Sequence, residues 1–209
     1  HGRTILDLGC GFYSKLEKMY KYNYVGIDMD PKIICNRKSI YIADVSRDWY
    51  NKSQLELYNS PYNYMPNIDQ FKKNNPLPFD TILSIFSIHY FFSSESFFEN
   101  INRVSKRGSH FIIKWLDKDL FIKLMGCKKY LSHKSSFVRI IDDNKLKIYY
   151  EWCHQNPIIE RLISKNDINR KFTSIGWKLK TYDFHGLDST DSDWNNYFKC
   201  FSTLVFIKI

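Results

Sequence analysis

No stretch of the 209 residues approaches the roughly 20 consecutive apolar side chains that a membrane-spanning helix needs, and no charged-then-apolar leader is visible at the start. Cysteine is sparse. The five thiols (Cys10, Cys35, Cys127, Cys153, Cys200) are odd in number and scattered, with no C-x-x-C pair, and neither they nor the histidines show zinc-ligand spacing. That usage excludes a disulfide framework and leads us to expect reduced thiols, a cytoplasmic setting and no metal site. Acidic residues are outnumbered, 22 Asp+Glu against 31 Lys+Arg, for a formal charge of +9. Such a surplus favours a polyanionic partner, because each neutralised phosphate releases counterions. A genome rich in Asn, Ile, Lys and Tyr codons would produce the same surplus, so charge alone leaves both explanations open. With 44% hydrophobic and 17% aromatic residues, a chain of this length can bury roughly 70% of its unfolded surface as one α/β domain.

Apolar runs and punctuation alternate between strand and helix periods. Strands are expected at residues 4–8, 24–28, 39–43, 79–86 and 110–115, with closing strands at 179–184 and 201–209. Helices are expected at 14–22, from Pro31 onward, at 94–104 and at 164–175, the last with Ser164 and Asp167 at capping-box spacing and Gly176 at its end. Residues 58–78 hold four prolines and no sustained period, and read as a long loop; Arg107-Gly108 reads as a turn. Residues 137–141 and 146–152, joined by Asp-Asp-Asn, read as an inserted hairpin. The alternation implies an α/β fold, a mostly parallel sheet covered on both faces, whose ligands sit outside the carboxyl ends of the strands.

Acids stand at three consecutive strand ends. Asp7-Leu8-Gly9-Cys10-Gly11 follows the first strand: the glycines let a ligand approach the backbone, and the following helix N-terminus offers free N–H groups. A dinucleotide fingerprint would need a third glycine at position 14, which is Ser14. The carboxylate of Asp7 suits an ammonium group and would repel a pyrophosphate. Asp28 is placed to accept ribose hydroxyls and Asp44 an adenine amino group, whereas Asp30, followed by Pro31, reads as a helix N-cap.

This order resembles the S-adenosylmethionine-dependent methyltransferase family over nearly the whole chain. The resemblance implies a seven-stranded Rossmann-like sheet and S-adenosylmethionine held by Asp7, Gly9, Gly11, Asp28, Asp44 and Phe86. Phe12-Tyr13-Ser14-Lys15 departs from the family's glycine-rich continuation. The N-P-P-Y-type element of amino-directed nucleic-acid methyltransferases has its nearest match in Asn59-Ser60-Pro61-Tyr62, before the fourth strand and not at its end.

At that strand end, Phe86, His89 and Tyr90 resemble the F-x-x-H-Y signature of mRNA cap guanine-N7 methyltransferases, as do the helix and Gly108 turn that follow. Asn156 to Leu162 is similar to the family segment whose glutamate contacts guanine, here Glu160; Ser164 to Ile168 is similar to the capping enzymes of poxviruses and other large DNA viruses, African swine fever virus among them. Phe201 stands where the family has tyrosine and Leu116 where it has a cap-contacting proline. The resemblance implies that Phe86, Tyr90 and Phe201 stack on the purine, that His89 donates to guanine O6, and that Glu160 accepts from N1–H and the exocyclic amine. No general base is implied. Lys114, Lys118, Lys123, Lys128 and Lys129 are candidates for the triphosphate or RNA.

The expected partner is a capped mRNA 5′ end. The expected context is a single methyltransferase domain over residues 1–209, in the C-terminal part of a longer polypeptide that carries triphosphatase and guanylyltransferase domains. An upstream segment would then supply a lysine to the cofactor carboxylate. A viral factory or virion is the implied location if the source is viral. A weakly active or non-catalytic cap-binding subunit, and a methyltransferase acting on RNA 2′-O or a small molecule, remain open alternatives.

Overall fold

The computed structural model describes residues 3–11, 23–30, 32, 39–51, 68–75, 77–151, 156–184, 186–187 and 190–209. The expected helices at 14–22 and after Pro31, the Phe12–Lys15 loop and the Asn59–Tyr62 element lie outside them.

Five strands run parallel at the centre: β1 (Thr4–Leu8), β2 (Asn23–Asp28), β3 (Ile40–Ile42), β4 (Phe79–Ile85) and β5 (Ser105–Leu116). A central strand in such a sheet is covered on both faces, which is why β1 reads as nearly continuous apolar sequence with four of its five residues buried. The chain later adds β10 (Trp177–Asp183) and β11 (Phe201–Lys208); β11 inserts antiparallel between β10 and β5. The resulting seven-stranded order is β10-β11-β5-β4-β1-β2-β3, the expected Rossmann-like sheet.

The described helices are α1 (Ile68–Asn74), α2 (Ile88–Phe91), α3 (Glu95–Arg103), α4 (Lys118–Met125), α5 (Lys165–Ser174) and α6 (Asp193–Lys199). Helix α3 starts where Ser94 accepts the Phe97 N–H, and it turns Phe97, Phe98 and Ile101 inward. Phe111 from β5, Phe172 from α5 and Trp177 from β10 close round them, with Phe111 and Phe172 rings 5.0 Å apart. Such offset and edge contacts stabilise by about 0.5–1.5 kcal/mol each beyond area burial. The expected capping box is present on α5: Ser164 Oγ accepts the Asp167 N–H at 3.1 Å and donates to the Asp167 carboxylate at 2.8 Å.

The insertion is larger than a hairpin. Strands β6 (Tyr130–His133), β7 (Ser136–Asp142), β8 (Lys145–Tyr149) and β9 (Ile158–Arg161) form an antiparallel sheet of four in sequence order. Its inner face packs Leu131, Val138, Leu146 and Ile148 against Leu116, Phe121, Met125 and Tyr197 in a second core. The Arg107-Gly108 turn is likewise absorbed into β5, which begins at Ser105 and carries a register shift against β4.

Candidate functional site

The glycine turn is built by β1 and clamped by β4. Gly9 and Cys10 N–H groups both donate to Ile27 O, at 2.8 and 3.2 Å, which folds the chain over the end of β2. Gly9 and Gly11 take φ +69° and +61°, a region that costs a side-chain-bearing residue about 1–2 kcal/mol. A Cβ on Gly9 would stand 2.5 Å from Ser87 Cβ, whereas one on Gly11 would meet nothing within 4 Å among the described residues. Ser87 Oγ donates to Leu8 O at 2.6 Å, so in its 2.9 Å contact with Ser84 Oγ the Ser84 hydroxyl is the donor. These bonds tie the end of β4 to the end of β1, and no motif in the sequence announces them. Gly9→Ala should therefore cost roughly 2–4 kcal/mol from strain and overlap, read as a fall in Tm of roughly 4–16 °C. An unchanged Tm would show that Ser87 yields.

Asp28 ends β2 with its carboxylate turned back to the turn: Oδ2 accepts Gly11 N–H at 2.9 Å and Oδ1 accepts Asp30 N–H at 3.0 Å. Burial pushes its carboxyl above the ordinary aspartate value of 3.8, against the lowering effect of N–H groups from Asp30, Gly11 and Met29. A carboxylate offers about four acceptor positions, so at least one remains for a hydroxyl. Asp44 lies just past β3; its Oδ1 accepts Ser46 N–H at 2.8 Å and Ser46 Oγ–H at 2.6 Å, while Oδ2 stands 3.7 Å from Arg47 Nε. Asp7 is placed differently from the other two. Only 3% exposed, it accepts the Tyr24 hydroxyl at 2.7 Å and braces β1 against β2 beneath the turn. Asp30 accepts Lys32 N–H at 2.9 Å, and the helix it was expected to cap lies outside the described residues.

Beyond β4 the backbone turns sharply. Phe86 donates its N–H to Lys114 O at 2.8 Å and adopts φ +59°, an uncommon conformation for a bulky residue and the kind of strain that collects at functional sites. The turn leaves the Phe86 ring half exposed, 5.1 Å edge-on from Phe201 and with Lys114 Nζ 5.5 Å above it. Helix α2 begins two residues later and carries His89 and Tyr90, whose rings lie 4.0 Å apart.

Strand β9 brings Glu160 to the same place. Its Oε1 is 3.4 Å from His89 Nε2, with both side chains largely buried, yet the geometry is not that of a hydrogen bond, and among the described residues Nε2 has no hydrogen-bond partner. Two contact groups, Phe86 with Phe201 and His89 with Tyr90 and Glu160, thus lie at the carboxyl edge of the sheet. Tyr197 of α6 supports them: its ring packs on Phe201, its hydroxyl meets that of Tyr150, and burial, with Tyr150 and then Glu160 adding to it, drives its phenol well above the ordinary range. Leu116 is buried in the second core, and among the candidate lysines Lys114 lies over the Phe86 ring. Lys118 bonds Asn144 Oδ1 and Lys128 pairs with Asp193. Among the described residues no set of three metal-type side chains gathers, and no helix is long and apolar enough to cross a membrane.

Comparison with known proteins settles the family. The sequence matches a methyltransferase-domain family over residues 1–176. This chain belongs to that family. The methyltransferase domain superposes on an S-adenosylmethionine-dependent methyltransferase from Clostridium acetobutylicum with a TM-score of 0.60 at 14% identity, covering 99% of this chain and 84% of that one. A Methanosarcina mazei S-adenosylmethionine-dependent methyltransferase gives 0.60 at 15%, covering 100% and 93%. The glycopeptide N-methyltransferase MtfA, solved with S-adenosylhomocysteine, gives 0.58 at 9%, covering 99% and 83%.

S-adenosylmethionine is the cofactor of this methyltransferase domain, and the strand ends fit it. Among the described residues nothing crowds Gly11, Asp28 keeps acceptor capacity for a ribose hydroxyl, and Asp44 Oδ2 is suited to an amino group. Bound there, the cofactor would supply a sulfonium methyl group to a nucleophilic acceptor.

Proposed function

We propose that this methyltransferase domain methylates guanine N7 in capped RNA. The observation that carries the reading is the meeting of His89 and Glu160, from separate elements, beside the strained and half-exposed Phe86. Neither polar group is saturated by the other, so His89 has a donor to offer guanine O6 and Glu160 has acceptor positions for N1–H and the exocyclic amine. Adenine has no N–H at that ring position and would leave the carboxylate unpaired, which is how a site built on hydrogen bonds discriminates strongly. The purine face has Phe86 and Phe201 to pack on, and base stacking on aromatic rings is worth roughly 1–3 kcal/mol per base.

The acceptor nitrogen carries a lone pair and no proton, so the domain needs no general base. Its residues hold the purine, exclude water and stabilise the positive charge that the guanine acquires, Glu160 being the group placed for that. A GpppN end is itself the product of phosphate removal and guanylyl transfer. The proposal therefore extends to a capping polypeptide in which this domain acts last.

Incubation with methyl-labelled cofactor and GpppRNA or ApppRNA tests the reading. Label is expected on GpppRNA alone, released as 7-methylguanine. Label in 2′-O-methyl nucleotides, or equal label on both RNAs, would sink it.

A further inference from the structure

Two clefts meet on the outer side of β9. The first, about 800 Å³, is lined by His89, Tyr90, Ile159, Arg161 and the β7–β8 turn. The second, about 440 Å³, runs along α5 and is lined by Phe92, Arg161, Arg170 and Lys171 among others. Asn144 and Arg161 belong to both, so the clefts form one continuous groove that begins at the candidate acceptor residues.

Strand alternation explains its relation to the acceptor site. Glu160 is half-buried toward His89, while its neighbour Arg161 is exposed along the groove. The other cations there are already paired: Arg170 with Asp167 at 2.7 Å, Lys171 with Glu95 at 2.6 Å, and Lys145 with Asp142 at 3.9 Å. Among the described residues no carboxylate lies within ion-pair distance of Arg161. A guanidinium with its donors uncommitted, midway along a groove, is suited to bidentate capture of a phosphate. Asp143, at the tip of the β7–β8 turn, is exposed in the first cleft and would hold a polyanion to the Arg161 side.

We infer that this groove carries the RNA chain beyond the cap, with Arg161 binding one of its backbone phosphates. The inference rests on the cap reading and extends it from the guanine to the transcript. Arg161 is a binding residue for the chain and takes no part in holding the guanine.

Binding of the GpppG dinucleotide and of a short capped oligoribonucleotide to the full chain separates the two claims. Wild-type protein should bind the oligonucleotide more tightly. Arg161→Ala should weaken oligonucleotide binding by about two- to fivefold and leave the dinucleotide unchanged. It should also lower the slope of log affinity against log salt by about 0.7, one single-strand phosphate contact. Arg161→Lys, which keeps the charge, should keep most of that slope, and Glu160→Ala should weaken both ligands alike. Arg161→Ala that weakens both ligands equally, or neither, overturns the groove, as does wild-type protein that binds the two ligands with equal affinity. Wild-type protein that binds neither ligand overturns the cap reading and the groove with it.

Discussion

Replacing Glu160 by alanine is expected to cut methylation of guanosine-capped RNA by about a hundredfold or more while leaving affinity for S-adenosylmethionine nearly intact. Two charge-assisted hydrogen bonds to the guanine edge would be lost, each worth roughly 1.5–3 kcal/mol, and every 1.4 kcal/mol is tenfold. The donors on guanine would be left unpaired in a largely buried place, since the Glu160 side chain is only 16% exposed. Cofactor affinity should survive because Asp28 and Asp44 sit at the ends of β2 and β3, on the other side of β1 from the acceptor cluster. Glu160→Gln keeps the shape and one acceptor but presents an amide to a donor-rich edge, so it should retain only a small part of the activity. Radiolabel transfer and calorimetry on the same preparations check both halves. An alanine variant with full activity, or a wild-type enzyme indifferent to ApppRNA and GpppRNA, would remove Glu160 from the acceptor site.

The position of Glu160 depends on packing distant from it in sequence. Strand β9 is an edge strand, held in register by pairs such as Leu146–Glu160 and Ile148–Ile158. Leu146 and Ile148 are anchored in the second core with Tyr197 and Phe121. The carboxylate therefore reaches His89 only because the four-stranded insertion and α6 are in place. Substitutions at Tyr197 would act through this support.

What the sequence discloses follows from how local each signal is. The strands of the central sheet are short apolar runs, several of them closed by an acid, and all of them lie within a residue or two of expectation except β5. There, Lys106, Arg107 and Gly108 resemble a turn because they are polar, yet they extend the strand past a bulge. The capping box of α5 was legible for the same local reason. Long-range features were not. Strand β6 is four residues long with a single buried side chain, Leu131, too little alternation to register as a strand. Helix α1 buries only Ile68 and Phe71 within an asparagine- and proline-rich stretch. Helix α4 did leave a signal, Asp117 as N-cap and Gly126 at its end, but its apolar residues crowd nearly every face and blur the period. Phe86, His89 and Tyr90 were readable as a spaced motif. The conformation that aims them, a left-handed Phe86 followed by a one-turn helix, was not, because tertiary bonds from Ser87 and Lys114 impose it.

Asp28→Ala should weaken S-adenosylmethionine binding at least tenfold. The carboxylate is a half-buried acceptor at the end of β2, and losing a charge-assisted bond to a ribose hydroxyl costs about 1.5–3 kcal/mol, a factor of ten or more. Part of the loss would be indirect, since Gly11 and Asp30 N–H groups also lose their acceptor. Asp28→Asn separates the two contributions in part: its one oxygen can still accept from either Gly11 or Asp30 N–H but not both, so half of the turn's bonding is kept while the charge is gone. Its affinity should fall between the wild type and the alanine variant. The pH dependence has a definite sign. Burial raises the Asp28 carboxyl above 3.8 in the free protein, and the ribose contact needs the ionised form. Affinity should hold at neutral pH and decline, as the solution is acidified, at a higher pH than an ordinary aspartate would give. The asparagine variant has no proton to take up at that position and should lack this component of the decline. Calorimetric titrations of the three proteins across the acid range check the prediction; equal affinities at neutral pH would remove Asp28 from the cofactor site.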